Sequence, residues 1–263
     1  MKKEAYVFFD IDNTIYDYHK GVPDSTREAI RLLRENGHHP IICTGRSKIM
    51  ISQGIFDLGF DGLICGAGTY IEKDGKVILD AELPMSEVRR IITLFQENGV
   101  ASYPEGRDYC YYDQTVIDNG AGEVYRIYQR SIPDNLKVID LSGEIHCAKI
   151  SGYQDPPSAL PVITEALGDD YEIVIHGGKL IETSPKGFSK GRAIKLFAEA
   201  FGADMEQTYA FGDSFNDYDM LTTVKYGVCM ANGDEKLKSL CEYVCEAMME
   251  DGVYLQLKRF GLI

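Results

Sequence analysis

Asp10 and Asp12 stand directly after the apolar run Ala5–Phe9, in the stretch FFDIDNTI. Alternate residues of a strand project to the same side, so these two carboxylates share one face, and the backbone carbonyl between them is free to turn toward a ligand. Such a pair suits a hard cation. It equally suits attack on phosphorus by one carboxylate while the other moves protons. Acidic residues at a strand end are also ordinary solvated turn residues, so this motif alone leaves the choice open.

Three further groups have the same placement. In ICTGR, Thr44 and Gly45 end a second apolar run, where a hydroxyl and open backbone N–H groups suit a phosphate oxygen. In SPKGFSKGRAI, Lys190 begins a helical pattern, so its ammonium meets an anion near a helix N-terminus. Lys186 is the second candidate, and spacing does not choose between them. In AFGDSFNDYDM, Asp213 ends a strand, with Asn216 and Asp217 on the turn that follows and Asp219 expected to point elsewhere. Carboxylates there complete an octahedral magnesium shell begun at Asp10. A metal alone needs neither the threonine nor the lysine; together the four groups read as a phosphate-plus-magnesium site.

The elements that must position these groups follow from periodicity. Ala5–Phe9 reads as a buried strand. PDSTREAIRLLRENG reads as a helix with Ser25 and Glu28 at capping-box spacing and Gly37 at its C′ position. HPIIC is a strand, Lys48–Leu58 a helix, and GLIC a strand, which gives the alternation of a parallel sheet covered by helices. A hairpin around Asp74-Gly75 opens a stretch without that rhythm: a helix over 86–98, strand over 109–113, helix over 123–130, then EIHCAKISG, a helix over 158–167, YEIVIHG and LIETS. The rhythm returns with a helix over 190–201, QTYAFGD, a short helix over 216–221, YGVCM, a helix over 235–241, YVCE and a helix over 252–259. The fold class expected is therefore α/β: a Rossmann-like parallel-sheet core, residues 1–83 and 186–263, with an inserted α+β cap, residues 84–185.

Composition excludes more than it identifies. Lys and Arg number 27 against 41 Asp and Glu, a net charge of −14, which disfavours nucleic acid and anionic membrane as partners. The seven cysteines are scattered and odd in number, as expected of unpaired thiols in a reducing compartment. Cys241 and Cys245 lack the second close pair of a structural zinc site. The apolar run before Asp10 is too short for a signal segment or a span, so a cytoplasmic address is expected. Composition leaves oligomeric state open.

DIDNT at 10–14, TG at 44–45, SKG at 189–191 and GDSFND at 212–217 make the chain resemble the haloacid dehalogenase-like hydrolases, in particular their Cof-like phosphatases. The resemblance spans nearly the whole chain. It implies that Asp10 is the nucleophile and Asp12 the general acid/base. It implies that Thr44, Gly45, Lys190 and Asn216 surround the phosphate. Mg2+ would be held by Asp10, the Asp12 backbone carbonyl and Asp213, with Asp217 supporting from behind. Relatives often have glycine where this chain has Asn13. The inserted segment resembles the large α/β cap of this branch, which implies a small phosphorylated metabolite as substrate, a sugar phosphate first, with nucleotides and pyridoxal phosphate open. Arg126, His146 and His176 are candidate cap contacts, with Arg107, Tyr109, Tyr112 and Lys149 beside them. The rival readings are a sugar phosphomutase and a non-catalytic phosphometabolite sensor; the intact Asp10/Asp12 pair argues against the sensor.

Overall fold

The computed structural model describes residues 3–114, 122–155 and 158–263. β1 (Tyr6–Phe9) is followed by α1 (Asp24–Glu35), β2 (His39–Cys43), the short α2 (Gln53–Phe56), β3 (Gly62–Cys65), β4 (Tyr70–Lys73) and β5 (Lys76–Asp80). Next come α3 (Met85–Glu97), β6 (Ala101–Glu105), β7 (Cys110–Tyr112), α4 (Gly122–Ser131), β8 (Leu136–Val138), β9 (Lys149–Tyr153), α5 (Leu160–Leu167), β10 (Tyr171–His176) and β11 (Leu180–Pro185). The chain closes with α6 (Lys190–Phe201), β12 (Thr208–Gly212), α7 (Tyr218–Thr223), β13 (Tyr226–Met230), α8 (Glu235–Leu240), β14 (Tyr243–Cys245) and α9 (Gly252–Arg259).

These elements form two compact units. The first holds Met1–Gly45, Gln53–Leu79 and Phe188–Ile263; the second holds Arg46–Ser52 and Asp80–Gly187. The first unit is an α/β sheet in the order β14-β13-β12-β1-β2-β3-β4-β5. From β14 to β3 every neighbour runs parallel, and β4 turns back against β3. β1 thus lies between β2, which follows it in the chain, and β12, which returns from far along it. This is the point where strand order reverses, and open α/β sheets bind ligands there, beyond the carboxyl ends. Four consecutive residues of β1, Tyr6 to Phe9, are buried, as a strand covered on both faces requires. Phe8 meets Phe197 of α6 edge to face at 5.6 Å, and burying a side chain of that size contributes about 1.5–3 kcal/mol.

Local signals decide most boundaries, with two exceptions. α1 ends in a Schellman motif: the Gly37 N–H reaches the Arg34 carbonyl, the His38 N–H reaches the Leu33 carbonyl, and Gly37 has φ of 79°. Its start differs from expectation. Pro23 occupies the N-cap position without a side-chain cap, and the hydroxyl of Ser25 lies buried with no hydrogen-bond partner, so the Ser25–Glu28 capping box does not form. The single helix expected over 48–58 is also absent. Lys48–Met50 is a 3-10 turn, Ile51 is extended, and α2 begins at Gln53. The break falls where the chain passes between units, since Ile49 and Met50 pack with Tyr103 and Tyr128 while Gln53 belongs to the first unit.

The second unit is a six-stranded sheet, β10-β11-β9-β6-β7-β8, antiparallel except where β7 meets β8. α3 buries Val88, Ile91, Ile92 and Phe95, the 3.6-residue spacing of a helix laid on a sheet. β6 falls between the helix expected over 86–98 and the strand expected over 109–113, where the sequence reading names no element. Pro104 lies within the strand: it pairs with Ile150 of β9, and toward β7 the bonds from Asp113 N–H to the Ser102 carbonyl and from Gly106 N–H to the Tyr109 carbonyl flank it. A buried polar cluster closes this sheet face. The Glu105 carboxylate accepts hydrogen bonds from Ser151 Oγ at 2.6 Å, Ser47 Oγ at 3.1 Å and Tyr128 OH at 3.2 Å. The Lys149 ammonium lies 3.6 Å from Glu105 and 2.8 Å from Glu182. Burial disfavours that ammonium, but the two carboxylates outweigh it and hold its pKa above the ordinary value. Ser47 thereby ties the 46–52 segment into the second unit.

Candidate active site

Asp10, Thr44 and Asp213 each follow directly on the carboxyl end of a parallel strand, β1, β2 and β12, and β12, β1 and β2 are neighbours in that order. The Asp10 N–H donates to the Phe211 carbonyl at 3.0 Å and the Thr44 N–H to Ile64 at 2.9 Å, so the ladder continues into the site and fixes where these side chains leave the sheet. Asp10, Thr44, Asp213, Asp217 and Lys190 are all buried. Gly45 is half-buried, and a methyl group there would meet nothing within 4 Å, leaving room for a ligand beside its backbone.

Lys190 joins the carboxylates. Its Nζ donates to Asp10 Oδ1 at 2.6 Å and to Asp217 Oδ1 at 2.5 Å. Lys186, the other candidate, donates instead to the Gly168 carbonyl in the second unit. The second oxygen of Asp217 accepts the N–H groups of Asp213 at 3.0 Å and Ser214 at 3.2 Å, closing the turn after β12. Gly212 permits this, since a Cβ there would lie 2.6 Å from the Asp217 side chain. Asp12 is exposed, and its backbone bridges to Tyr16. Asn13 adopts φ of 56°, a left-handed conformation that asparagine tolerates better than most residues; this is how the position does without glycine. Its carbonyl accepts a hydrogen bond from Asn232 Nδ2 at 2.8 Å, a brace no sequence signal announced. Asn216 is exposed, and its Oδ1 accepts the Ser214 hydroxyl at 2.6 Å.

The charges of this cluster suit a cation. Carboxylate oxygens of Asp10, Asp213 and Asp217 all lie within 4.8 Å of one another. Three ionised carboxylates against one ammonium leave two uncompensated negative charges in a buried place. Burial, then the Asp217 carboxylate, push Asp213 up to about 7, against the pull of Lys190. Burial also raises Asp10, opposed by Lys190. Lys190 is held protonated, because Asp10 and Asp217 outweigh the burial that disfavours its charge. An all-oxygen donor set short of two positive charges fits a hard divalent ion. A pH dependence follows. Asp213 ionises near 3.9 when unfolded but at about 7 when folded, so between these values the folded protein holds a proton the unfolded chain releases. Metal-free stability is present in full below that window and declines as pH rises through it. A divalent ion held there would remove the repulsion, and the gap between melting temperatures in magnesium and in EDTA should then widen from about pH 5 to about pH 8. A constant or shrinking gap would contradict the site.

The residues expected to contact substrate lie in the second unit. Arg126 is exposed on α4. The His146 imidazole is exposed and pairs with Glu82 at 2.8 Å, a contact that raises its pKa. His176 ends β10, and its side chain lies outside the described residues. Arg107 pairs with Asp80 and Asp108, the Lys137 ammonium sits over the Tyr109 ring, and Tyr112 packs on Tyr125. Lys149 is consumed by the Glu105–Glu182 cluster. Sequence reasoning named no element over Glu105 and so did not single it out.

Residues 7–257 match the haloacid dehalogenase-like hydrolase family. The chain belongs to that family. It is 29% identical over 260 residues, 98% of each chain, to a Bacillus subtilis (strain 168) protein named "Putative phosphatase YkrA". It is 26% identical over 261 residues to the pyridoxal phosphate phosphatase YbhA of Escherichia coli (strain K12), covering 90% of this chain and 92% of that one. A hypothetical protein of Geobacillus kaustophilus HTA426, solved by crystallography, superposes with a TM-score of 0.87 at 26% identity, over 99% of this chain and 100% of that one. As a member of this family the chain is a phosphatase, an enzyme of the phosphoric monoester hydrolase class. Among the described residues, no helix is long and apolar enough to cross a membrane.

Proposed function

We propose that this hydrolase is a magnesium-dependent phosphatase that cleaves a small phosphorylated metabolite, a sugar phosphate first, by way of an aspartyl-phosphate on Asp10. The observation that carries the reading is the Lys190 ammonium set between Asp10 and Asp217, with Asp213 beside them and the Thr44–Gly45 turn on the adjoining strand. Mg2+ would be held by Asp10, the Asp12 carbonyl and Asp213, with Asp217 supporting through Lys190 and the 213–214 backbone. When bound, it offsets the negative charge of the phosphoryl oxygens and holds the carboxylates ionised.

The chain's own groups carry the steps. Thr44, the Gly45 backbone, Lys190 and the exposed amide of Asn216 bind the phosphoryl oxygens. A carboxylate oxygen of Asp10 forms a bond to phosphorus as the bond to the ester oxygen breaks, and Asp12 gives its proton to the departing alcohol. Asp12, now a base, takes a proton from water, which attacks phosphorus and frees Asp10 and inorganic phosphate. The inserted unit, 80–187, is assigned the choice of leaving group.

The test is phosphate release from sugar phosphates, nucleotides and pyridoxal 5′-phosphate, with magnesium and with EDTA. Release that needs magnesium and favours a sugar phosphate supports the whole reading, while a preference for pyridoxal phosphate or a nucleotide replaces the substrate class alone. Undiminished release in EDTA removes the metal. Isomerised sugar phosphate without phosphate release makes the enzyme a mutase, and silence across the panel favours the sensor.

A further inference from the structure

Asp219 points back to the start of α6. Its Oδ2 accepts the Gly191 N–H at 2.8 Å, and Gly191 directly follows Lys190. The approach is close: a Cβ on Gly191 would lie 2.6 Å from the Asp219 carbonyl and 2.6 Å from Thr223 Oγ1. Glycine at 191 is what lets the first turn of α6 lie against α7. The N-cap residue Ser189 supplies the next contact, its Oγ accepting the Arg192 N–H at 3.1 Å. One short stretch of chain therefore grips the start of α6 twice. Asp217 takes the Lys190 ammonium, and Asp219, two residues on, takes the next peptide N–H.

The double grip has a physical consequence. A lysine side chain is long and flexible, and holding it in one geometry costs rotamer entropy. Its Nζ lies at the end of four methylenes, so a small rotation or slide of α6 about its own axis displaces the ammonium from one of its two carboxylates. The first N–H groups of a helix also attract anions. With Asp219 bound there, that end of α6 does not compete with Lys190 for the Asp217 carboxylate. We infer that Asp219 is a positioning residue: it sets the rotation and height of α6 so that Lys190 reaches Asp10 and Asp217 together. It touches neither substrate nor metal in this scheme, and it acts through the backbone of Gly191.

The inference rests on the phosphatase reading, and the experiment separates the two. Turnover of p-nitrophenyl phosphate is measured for the wild-type enzyme and for Asp219→Ala, Asp219→Asn and Asp219→Glu, at a temperature well below every melting point, with the magnesium half-saturation read in parallel. Asparagine keeps an oxygen that accepts the Gly191 N–H, so it should turn over within about threefold of wild type. Alanine removes the acceptor and glutamate displaces it by one methylene while keeping the charge. Both should lower kcat by about tenfold to a hundredfold, the range that an ångström of misplacement costs, with the magnesium half-saturation unchanged. A purely structural role would lower the melting temperature and leave kcat per folded molecule where it was. Alanine and glutamate variants as fast as wild type overturn the inference, and so does an asparagine variant as slow as alanine. If the alanine variant does not fold, the asparagine–glutamate pair decides by the same comparison. A wild-type enzyme that releases nothing from p-nitrophenyl phosphate overturns the phosphatase reading instead.

Discussion

Asp10→Asn should lower phosphate release by about 10^4-fold or more, as loss of a group acting in a coupled unit does, while the protein stays folded. The amide is nearly the same size as the carboxylate, so the β1 end keeps its shape and the Asp10 N–H keeps its bond to Phe211. What disappears is the nucleophilic anion and one of three buried negative charges. Lys190 still has Asp217 at 2.5 Å. Since burial disfavours the Asp10 charge in the metal-free site, the variant should melt in EDTA at the same temperature as wild type or above it. Phosphate release and a thermal melt on the same preparation check both parts. Retention of activity within about tenfold would remove the covalent step, and a variant that is inactive because it is unfolded would overturn the electrostatic account.

Lys190→Met carries the second large effect, and there stability and activity should fall together. Lys190 is 2% exposed, and its ammonium donates to two carboxylates that are themselves buried. Methionine fills similar volume but leaves Asp10 and Asp217 facing each other without compensation. Removing one partner of a buried ionic cluster costs about 3–5 kcal/mol, which a chain of this size shows as a loss of several degrees or more in melting temperature. Activity should drop by about 10^2–10^3-fold, the measured cost of removing one donor from the developing charge. Magnesium should restore part of the stability, because it compensates the same carboxylates, but not the turnover. Lys190→Arg should rescue neither fully, since a planar guanidinium does not fit the compact two-way contact of an ammonium. Wild-type turnover in Lys190→Met would exclude Lys190 from the chemistry.

The two variants separate roles that the geometry keeps adjacent. Asp10→Asn removes the attacking group and relieves repulsion; Lys190→Met removes the counter-charge and creates repulsion. In EDTA the melting temperature should therefore fall for Lys190→Met and not for Asp10→Asn, although both enzymes are slow. The pH dependence expected of Asp213 belongs to the same balance, since each change alters how many negative charges the crest must hold without a metal.

The sequence by itself determined the core. An all-apolar strand, a helix with Gly37 past its end and a second apolar strand specify a buried parallel layer through side-chain burial and local backbone preference, both written residue by residue. Because parallel strands put their carboxyl ends at one crest, Asp10, Thr44 and Asp213 were legible as neighbours although they are far apart in the chain, and the interruption of the rhythm marked the insertion. Whatever rests on close approach between distant segments was decided by the tertiary structure alone. Lys190 rather than Lys186 reaches Asp10 because α6 begins beside β1, while Lys186 is drawn to the Gly168 carbonyl. The Lys48–Leu58 helix gives way because its two ends pack in different units. Ser25 buries instead of capping, Asp219 turns to Gly191, and Glu105 gathers three hydroxyls and a lysine from across a sheet. Local pattern encodes which residues must be buried and where chains turn. Which polar groups then meet depends on how the buried faces dock, and no spacing along one segment carries that.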